Sequence, residues 1–331
     1  MSSLFSTYLW SGSGYAESLA LASVEPVTGS SVGGIPFIVT GDALNPVKWD
    51  SIFIGTSLEA GKFVDTSSGG GSVVTGAPHL KLITGSTAGA SAQVQTVHSW
   101  ADTQAEVEVL VPRVTNYPAS EVTVFELTLR VDASNFTTFG VYLGPASDSL
   151  VLRAHSSLGG SQVFVQEQAI FAGSSKFKIL RWGTALIFVY NGVIFAVSEK
   201  FVSTSAKFEL TAANKSAAYN LETKVSYFKY RPFVVFGGEP VHDTIAVSQK
   251  RLRGVVPASK DSKGVVAAYA GLVNVAAVGD GTVVKTDVFT YTFDSGLVLV
   301  SDRSSGIKLS IVGDDVLRTP EGVVRGLGEN R

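Results

Sequence analysis

The 331-residue chain contains no cysteine. This absence excludes a disulfide framework, a thiolate metal site and a cysteine nucleophile. Charged residues make up only 16% of the chain and the formal net charge is −2, so we expect no binding to nucleic acid through the phosphate backbone. The densest basic run, Lys250-Arg251-Leu252-Arg253, is better explained as a solvated strand edge.

Long apolar runs are also missing. The most apolar window, residues 185–197, is interrupted by Tyr190, Asn191 and Gly192, which makes it too short for a membrane helix. Residues 1–14 have neither a basic segment nor a sustained apolar core, so we expect no signal peptide. We therefore predict synthesis in the cytoplasm of the producing cell and no insertion into a membrane.

Short apolar runs with a two-residue period are abundant instead. Examples are residues 122–131, 177–189 and 283–293, each bounded by glycine, serine, asparagine, aspartate or proline. Such runs predict strands of β-sandwiches or barrels, and the chain length predicts two domains or slightly more. The dipeptide Asn191-Gly192 between two apolar runs predicts a tight hairpin.

Two segments about 190 residues apart carry the halves of one pattern. The first, residues 23–44, contains Gly33-Gly34 before a strand that ends near Gly41. The second begins at Val235-Phe236-Gly237-Gly238 and continues through Val255-Val256-Pro257 to Phe289-Thr290-Tyr291. Together they resemble the IPT/TIG family of immunoglobulin-like domains, although Pro36 stands where that family usually has threonine.

The resemblance implies an Ig-like sandwich that is interrupted between its second and third strands. Insertion is physically reasonable when the termini of the inserted domain lie close together. Two alternatives stay open. The third strand of the Ig-like domain could begin at residues 50–55, or the chain could form two separate β domains with unrelated Gly-Gly turns.

The inserted segment has its own strand pattern. Residues 177–183 end in Arg-Trp-Gly, residues 187–192 end in Tyr-Asn-Gly, and further strands follow at 208–210 and 225–228. This succession resembles the concanavalin A/laminin-G jelly roll. The predicted fold is therefore all-β, an Ig-like (IPT/TIG) β-sandwich with an inserted concanavalin A-like jelly-roll sandwich. The predicted boundaries are an N-terminal arm at 1–21, a split Ig-like domain at 22–47 plus 232–294, the inserted domain at 48–231, and a C-terminal β arm at 295–331.

No catalytic residues are predicted. The resemblance implies that sugar-cleaving enzymes of this fold carry the pattern E-x-D-x-x-E on one strand. The nearest match is Glu106-Val107-Glu108, which has the same-face spacing but no third acid. The four histidines have no metal-ligand spacing, and the Gly-x-Ser-x-Gly match at residues 29–33 joins two strands with no helix after it.

Aromatic residues are the better candidates for ligand binding. Trp100, Tyr142, Trp182 and Tyr190 could form a sugar-stacking surface, because a ring offers a flat apolar face. We expect Trp100 to be the most exposed of the four, since His98, Ser99 and Asp102 surround it. The alternative is that most of these rings belong to the core.

Calcium is the ion that the resemblance implies, because laminin-G-like sandwiches often bind it at a loop rim. The candidate ligands are Asp132, Asn135 and Asp148. Ordinary turn chemistry explains these residues equally simply. No other cofactor is expected.

The pairing of an Ig-like base with a lectin-like inserted domain leads to three functional hypotheses. The first is a non-enzymatic structural component of a virus particle, namely a tailed-phage capsid decoration, fibre or tail-associated protein. Its location would be the virion, and its partners would be other virion proteins and further copies of itself. The second is a carbohydrate-binding adhesin that contacts a cell-surface glycan. The third is a glycoside hydrolase, which rests on fold analogy alone.

Overall fold

The computed structural model describes residues 18–293 apart from 46, 54, 77, 114–117, 146–148, 216–218 and 261–263, and it adds four strands between residues 297 and 326. In these described parts the regular elements are strands, with one short 3-10 helix at Val47–Trp49. The prediction of an all-β sandwich protein is confirmed. No described helix has the length and apolar character needed to cross a membrane.

Three strands precede the 3-10 helix, and the fourteen strands that come next along the chain end at residue 230. The first three are β1 (Ala20–Glu25), β2 (Thr28–Ser30) and β3 (Pro36–Asp42). The next fourteen are β4 (Phe63–Asp65), β5 (Ser72–Gly76), β6 (His79–Ile83), β7 (Ser91–Thr96), β8 (Thr103–Val111), β9 (Val122–Arg130), β10 (Phe136–Leu143), β11 (Leu150–Leu158), β12 (Ser161–Ile170), β13 (Gly173–Trp182), β14 (Ala185–Tyr190), β15 (Val193–Ser198), β16 (Lys207–Asn214) and β17 (Glu222–Tyr230).

Strands β4 to β17 form two seven-stranded antiparallel sheets, which we call the large sandwich. The front sheet has the order β12-β11-β10-β9-β16-β7-β4, and the back sheet has the order β15-β14-β13-β8-β17-β6-β5. Alternate side chains of both sheets point between them, as the two-residue period of a strand requires. Val107 and Val109 of β8, Leu127 of β9 and Phe177 of β13 belong to the resulting buried core.

The next six strands lie in the same two sheets as β1, β2 and β3. They are β18 (Phe233–Phe236), β19 (Glu239–Val241), β20 (Ile245–Ser248), β21 (Arg251–Val255), β22 (Gly271–Gly279) and β23 (Gly281–Thr292). Beyond them, β24 (Leu297–Asp302), β25 (Gly306–Ile311), β26 (Val316–Thr319) and β27 (Gly322–Gly326) pair in a sheet of their own.

The two segments on either side of the large sandwich, β1–β3 and β18–β23, build one small sandwich. One of its sheets has the order β1-β3-β21-β20, and the other has the order β19-β18-β22-β23-β2. β3 pairs antiparallel with β21, and β2 runs parallel to β23. Phe37, Phe236, Phe289 and Tyr291 lie in its core. The chain therefore leaves the small sandwich after β3, builds the large sandwich, and comes back at β18.

The hairpin at Asn191-Gly192 is confirmed. Asn191 has φ of 50° and Gly192 has φ of 85°, between the antiparallel strands β14 and β15. Positive φ at both central residues is the requirement of a type I′ turn, which matches the twist of the two strands.

The outer face of the back sheet is covered by the small sandwich. Leu180, Ile187 and Val189 of the back sheet form one buried cluster with apolar residues of β18 and β22, which are Phe233, Val235, Ala276 and Val278. We call this surface the covered face. Its apolar centre explains why the two sandwiches pack together, because each fully buried side chain of this size contributes about 1.5–3 kcal/mol.

Candidate functional site

The outer face of the front sheet carries polar side chains where the back sheet carries apolar ones. Leu127 and Leu129 of β9 point into the core, so Glu126, Thr128 and Arg130 point outward. By the same alternation, Glu209 of β16 points outward between Phe208 and Leu210. This outward surface of β7, β9, β10, β11 and β16 is the polar face.

Glu126 lies near the middle of the polar face. It is opposite Gly140 of β10 and Thr211 of β16, and the hydroxyl of Tyr142 donates a 2.5 Å hydrogen bond to its Oε1. Gly140 has no side chain to fill the space beside Glu126; a Cβ there would lie 2.2 Å from the carbonyl oxygen of Phe125. Glu126 as a residue is partly exposed, unlike its core neighbours Phe125 and Leu127.

The environment of Glu126 changes its protonation. Burial raises the pKa of Glu126 above its ordinary value of 4.5, although the Tyr142 hydrogen bond and nearby Lys215, Arg130 and Arg153 work in the opposite direction. Burial and the Glu126 carboxyl also raise the pKa of Tyr142 well above 10.0. Tyr142 therefore keeps its proton at ordinary pH and donates a hydrogen bond to Glu126.

Three donors hold the side chain of Glu209 in place. Arg130 Nε lies 2.7 Å from Oε2, and the amide of Gln93 donates to the same oxygen at 2.9 Å. The amide of Gln95 donates to Oε1 at 2.8 Å. Glu209 is only 4% exposed, so these contacts fix the position of its side chain on the polar face.

A cleft of about 660 Å³ lies next to Arg153, which is on the strand beyond Gly140 as seen from Glu126. It is lined by Arg153, His155, Gln162, Val165, Gln166, Glu167 and Lys215. Its volume falls in the range of small-molecule sites, which is about 300–1,000 Å³. The cleft and the Glu126 region share Arg153, whose guanidinium lies 4.3 Å from the centroid of the Tyr142 ring.

The charges in the cleft are paired. Arg153 forms ion pairs with Glu121, at 2.9 Å, and with Glu167, and Glu121 also pairs with Lys215. Burial, and then the neighbouring Arg153, lower the pKa of His155 below 6.5. The Nδ1 of this ring lies 2.6 Å from the Thr138 hydroxyl. The cleft therefore presents neutral imidazole, amide and paired ionic groups, which suit a ligand rich in hydroxyl groups.

The four aromatic candidates do not come together. Tyr142 lies on the polar face under Arg153 and is 2% exposed. Trp182 is half-buried beside the small sandwich, where its ring packs edge-on against Phe233. Tyr190 packs against Phe177 and shares a 2.8 Å hydrogen bond with Ser175. A continuous stacking surface from these residues is not formed.

The expectation that Trp100 is exposed is wrong. Trp100 is 4% exposed and stacks on Tyr230, with 4.9 Å between the ring centroids. Its carbonyl oxygen accepts a 2.5 Å hydrogen bond from buried Arg181, and its backbone pairs with Ala206. The polar neighbours in sequence were misleading because they are themselves partly exposed, whereas Trp100 belongs to the core of the large sandwich.

Glu106 and Glu108 do lie on one face of β8, but it is the outer face of the back sheet. Glu106 accepts a 2.8 Å hydrogen bond from Tyr227 and pairs with Lys178 at 3.8 Å and Arg231 at 3.6 Å. Lys178 in turn donates to the carbonyl oxygen of His242 in the small sandwich. Glu106 therefore belongs to the junction between the sandwiches.

The proposed calcium ligands form a turn. The Asp132 carboxylate accepts hydrogen bonds from the backbone of Ser134 and from both the backbone and side chain of Asn135. These bonds account for both residues without an ion. Asp148 lies outside the described residues. Within the described parts, no cluster of three or more histidine, aspartate or glutamate residues has a metal-binding arrangement.

Sequence reasoning missed Glu126 and Glu209. The available signal was a repeated tripeptide, Phe125-Glu126-Leu127 and Phe208-Glu209-Leu210. In each, a carboxylate stands between two large apolar residues. In a strand, such a residue must face away from the core on which its neighbours pack.

Comparison with known proteins gives structural matches alone. No family model matches the chain, and no curated protein matches it in sequence. Among solved structures, it is similar to a laminarinase from Flavobacterium sp. UMI-01, with a TM-score of 0.44 and 9% identity over 55% of this chain and 98% of that one. A β-glucanase from Bacillus licheniformis has a TM-score of 0.42 and 11% identity over 55% of this chain and 96% of that one. A legume lectin-like domain from Entamoeba histolytica has a TM-score of 0.38 and 9% identity over 51% and 89%.

These structural neighbours have concanavalin A-like jelly-roll folds. They correct the leading functional hypothesis. The pairing of an Ig-like base with a lectin-like inserted domain predicts a non-enzymatic component of a virus particle, yet the neighbours include a laminarinase and a β-glucanase, and none of the matches supports a phage protein. The prediction that the chain is not an enzyme is therefore wrong on this ground. With TM-scores below 0.5, the neighbours do not define a reaction, so the chemistry must be argued from the polar face itself.

Proposed function

We propose that the chain is a carbohydrate-active protein that binds a glycan along the polar face and hydrolyses a glycosidic bond there. The observation that carries the proposal is the placement of Glu126 and Glu209 on the same face of two neighbouring strands, in contrasting environments. Glycoside hydrolysis generally uses two such carboxyl groups, one as an acid and the other as a negative charge beside the sugar.

Glu126 is the proton donor in this proposal. Its pKa is raised by burial, so a larger fraction of it is protonated near neutral pH than of an ordinary carboxyl group. It gives its proton to the glycosidic oxygen as the bond from that oxygen to the anomeric carbon breaks. Water then adds to the anomeric carbon and returns a proton to the Glu126 carboxylate, which restores the starting state.

Glu209 supplies the fixed negative charge. Three donors hold it in place and it is 4% exposed, so it is suited to stabilising positive charge on the sugar ring through space. A preorganised charge of this kind has little reorganisation to undergo during the reaction. The cleft of Arg153, His155, Gln162 and Gln166 would hold the neighbouring sugar units through their hydroxyl groups.

The test is the release of reducing ends from a panel of neutral polysaccharides. Glu126→Gln should lower the rate at least about 100-fold, because general acid catalysis contributes typically 10²–10⁴-fold. Glu209→Gln should lower it as well. The matched control is Glu106→Gln, which changes a carboxylate of the covered face and should leave the rate within about twofold.

Two results would contradict the hydrolysis proposal. One is an unchanged rate in Glu126→Gln. The other is binding of a polysaccharide by the wild-type protein with no release of reducing ends from any member of the panel. A calorimetric titration of the same polysaccharides separates loss of binding from loss of turnover.

We also propose that the small sandwich is an Ig-like domain of the IPT/TIG kind, formed by residues 22–47 plus 232–294 and carrying the inserted domain at 48–231. The support is the pairing of β3 with β21 and of β2 with β23 across the insertion. Limited proteolysis should yield a stable fragment close to residues 48–231. Simultaneous degradation of both sandwiches would contradict this division.

A further inference from the structure

A second cleft lies where the large sandwich meets the small one. Its volume is about 740 Å³, and Trp182 of β13 stands at its edge. The other lining residues come from the small sandwich, and those that matter below are Asn274 and Ala276 of β22, Asp287 of β23, and Lys260 and Tyr269 of the preceding loop. We call this the junction cleft. Neither sandwich alone forms it.

The apolar part of the junction cleft consists of the Trp182 ring and exposed aliphatic side chains of β22 and β23. Trp182 is half-buried, with its ring 6.3 Å from that of Phe233 in an edge-on arrangement. Leu272 is 55% exposed and Val284 is 52% exposed. An indole face beside accessible aliphatic groups is the kind of surface on which the apolar face of a sugar ring packs.

The polar part of the junction cleft depends on an irregularity in the β22–β23 hairpin. The pairing jumps from Val273↔Phe289 to Val275↔Lys285, which leaves Asn274 opposite a bulge of β23 that contains Asp287. Asp287 has φ of 51°, a left-handed conformation that aspartate and asparagine tolerate better than most residues. The side chain of Asn274 accepts a 3.1 Å hydrogen bond from the backbone of Asp287. Bulges of this kind often redirect side chains at functional sites.

The charges around the junction cleft indicate a neutral ligand. Lys260 is paired with Glu239 at 2.7 Å, so its charge is already balanced. Asp287 is exposed and is the one carboxylate among the described lining residues. A single carboxylate with an amide beside it suits hydroxyl groups, which donate to it, and disfavours an anionic ligand.

The junction cleft is extended by a smaller one. A cleft of about 430 Å³ shares Leu272 and Asp287 with it and continues past Lys285 toward Ser23 and Thr28. The two clefts adjoin at Leu272 and Asp287. Two adjoining clefts fit a chain of several units better than a single compact molecule.

We propose that the junction cleft is a second glycan-binding site, which holds a neutral oligosaccharide on the Trp182 ring and through hydroxyl groups to Asp287 and Asn274. It binds without cleaving, because hydrolysis of a glycosidic bond generally uses two carboxyl groups. The site does not depend on turnover at the polar face. Its role would be to keep a long glycan attached while the polar face acts elsewhere on the same polymer.

The experiment follows the indole N–H signal of Trp182 by NMR in the full chain. Assignment comes from Trp182→Phe, which removes that signal and keeps an aromatic ring. Neutral hexasaccharides of glucose, xylose, mannose and galactose are titrated one at a time. At least one should shift the Trp182 signal saturably, and Glu126→Gln should show the same shift with the same Kd.

Asp287→Asn is the decisive variant, because asparagine keeps the left-handed backbone and the shape while the charge is lost. It should raise the Kd at the junction cleft at least about fivefold, since hydrogen bonds to charged groups are the stronger ones. Asp42→Asn, which neutralises a carboxylate of the small sandwich that pairs with Lys250 outside both clefts, is the control and should change the Kd less than twofold. The proposal is overturned if no hexasaccharide shifts the Trp182 signal, or if Asp287→Asn binds as tightly as the wild type.

Discussion

The two outer faces of the large sandwich are built on the same strand geometry and have opposite chemistry. The covered face is apolar at its centre, where Leu180, Ile187 and Val189 pack on the small sandwich. The polar face carries Glu126 and Glu209 at comparable central positions. One outer face of the large sandwich is therefore used for packing on the small sandwich, while the other is the face on which we propose that the chemistry takes place.

The covered face also contains a polar residue that has no described hydrogen-bond partner. Both side-chain amide atoms of Gln104 are buried and unpaired within the described residues, while its backbone carbonyl accepts from Arg231. On the polar face, by contrast, the amides of Gln93 and Gln95 both donate to Glu209. A glutamine side chain therefore destabilises the fold at the covered face and stabilises it at the polar face.

The largest loss of stability is expected when the packing between the covered face and the small sandwich is disrupted. Phe233→Ala removes a fully buried ring that contacts Trp182 and the back sheet. The free energy of unfolding in urea should fall by about 3–5 kcal/mol. Phe171→Ala is the control, because Phe171 is 93% exposed and should change stability by at most about 0.5 kcal/mol. A loss below about 1 kcal/mol in Phe233→Ala would mean that the two sandwiches do not depend on this contact.

Replacement of a glutamine by methionine should change the free energy of unfolding by an intermediate amount. The sign of the change should be opposite on the two faces. Gln104→Met removes buried amide atoms without partners and should raise the free energy of unfolding by about 1–2 kcal/mol. Gln93→Met removes a donor to buried Glu209 and should lower it by about 1 kcal/mol. Denaturant melts of the two variants provide the comparison. Destabilisation of the same size in both would contradict the contrast between the faces.

A smaller, pH-dependent effect is expected at Glu126. Its pKa is raised in the folded protein, so the folded state holds its proton more tightly than the unfolded state does. The stabilisation of the folded state that this tighter proton binding provides is fully present below pH 4.5. It is lost as the pH rises through the pKa of Glu126 in the folded protein. Glu126→Gln, which cannot ionise, should therefore gain stability relative to the wild type as the pH rises from 4 to 8. A difference that stays constant over this range in urea melts would show that Glu126 is not perturbed.

Much of the fold could be predicted from the sequence because strand signals are local. The two-residue period identified the strands, and Asn191-Gly192 fixed a turn through its positive φ values. The segment at Val235-Phe236-Gly237-Gly238 does begin the return to the first strands, since β18 lies in the sheet that also contains β2.

The site could not be predicted in the same way because it depends on which faces are covered. Glu106 and Glu209 have similar sequence surroundings, yet one lies at the junction and the other on the polar face. The register shift between Val141 and Tyr142 also changes which residues of β9 lie beside β10. Trp100 shows the same limit, because its burial comes from Tyr230, 130 residues away in sequence.

The most direct test of the account is the crystal structure of Glu126→Gln with a polysaccharide fragment that the wild-type protein binds. The account predicts sugar units across the polar face, with a glycosidic oxygen about 2.6–3.2 Å from the side chain at position 126. Density confined to the junction cleft would support the second site and contradict the polar face as the place of hydrolysis. A polar face left empty at saturating ligand would contradict the central claim.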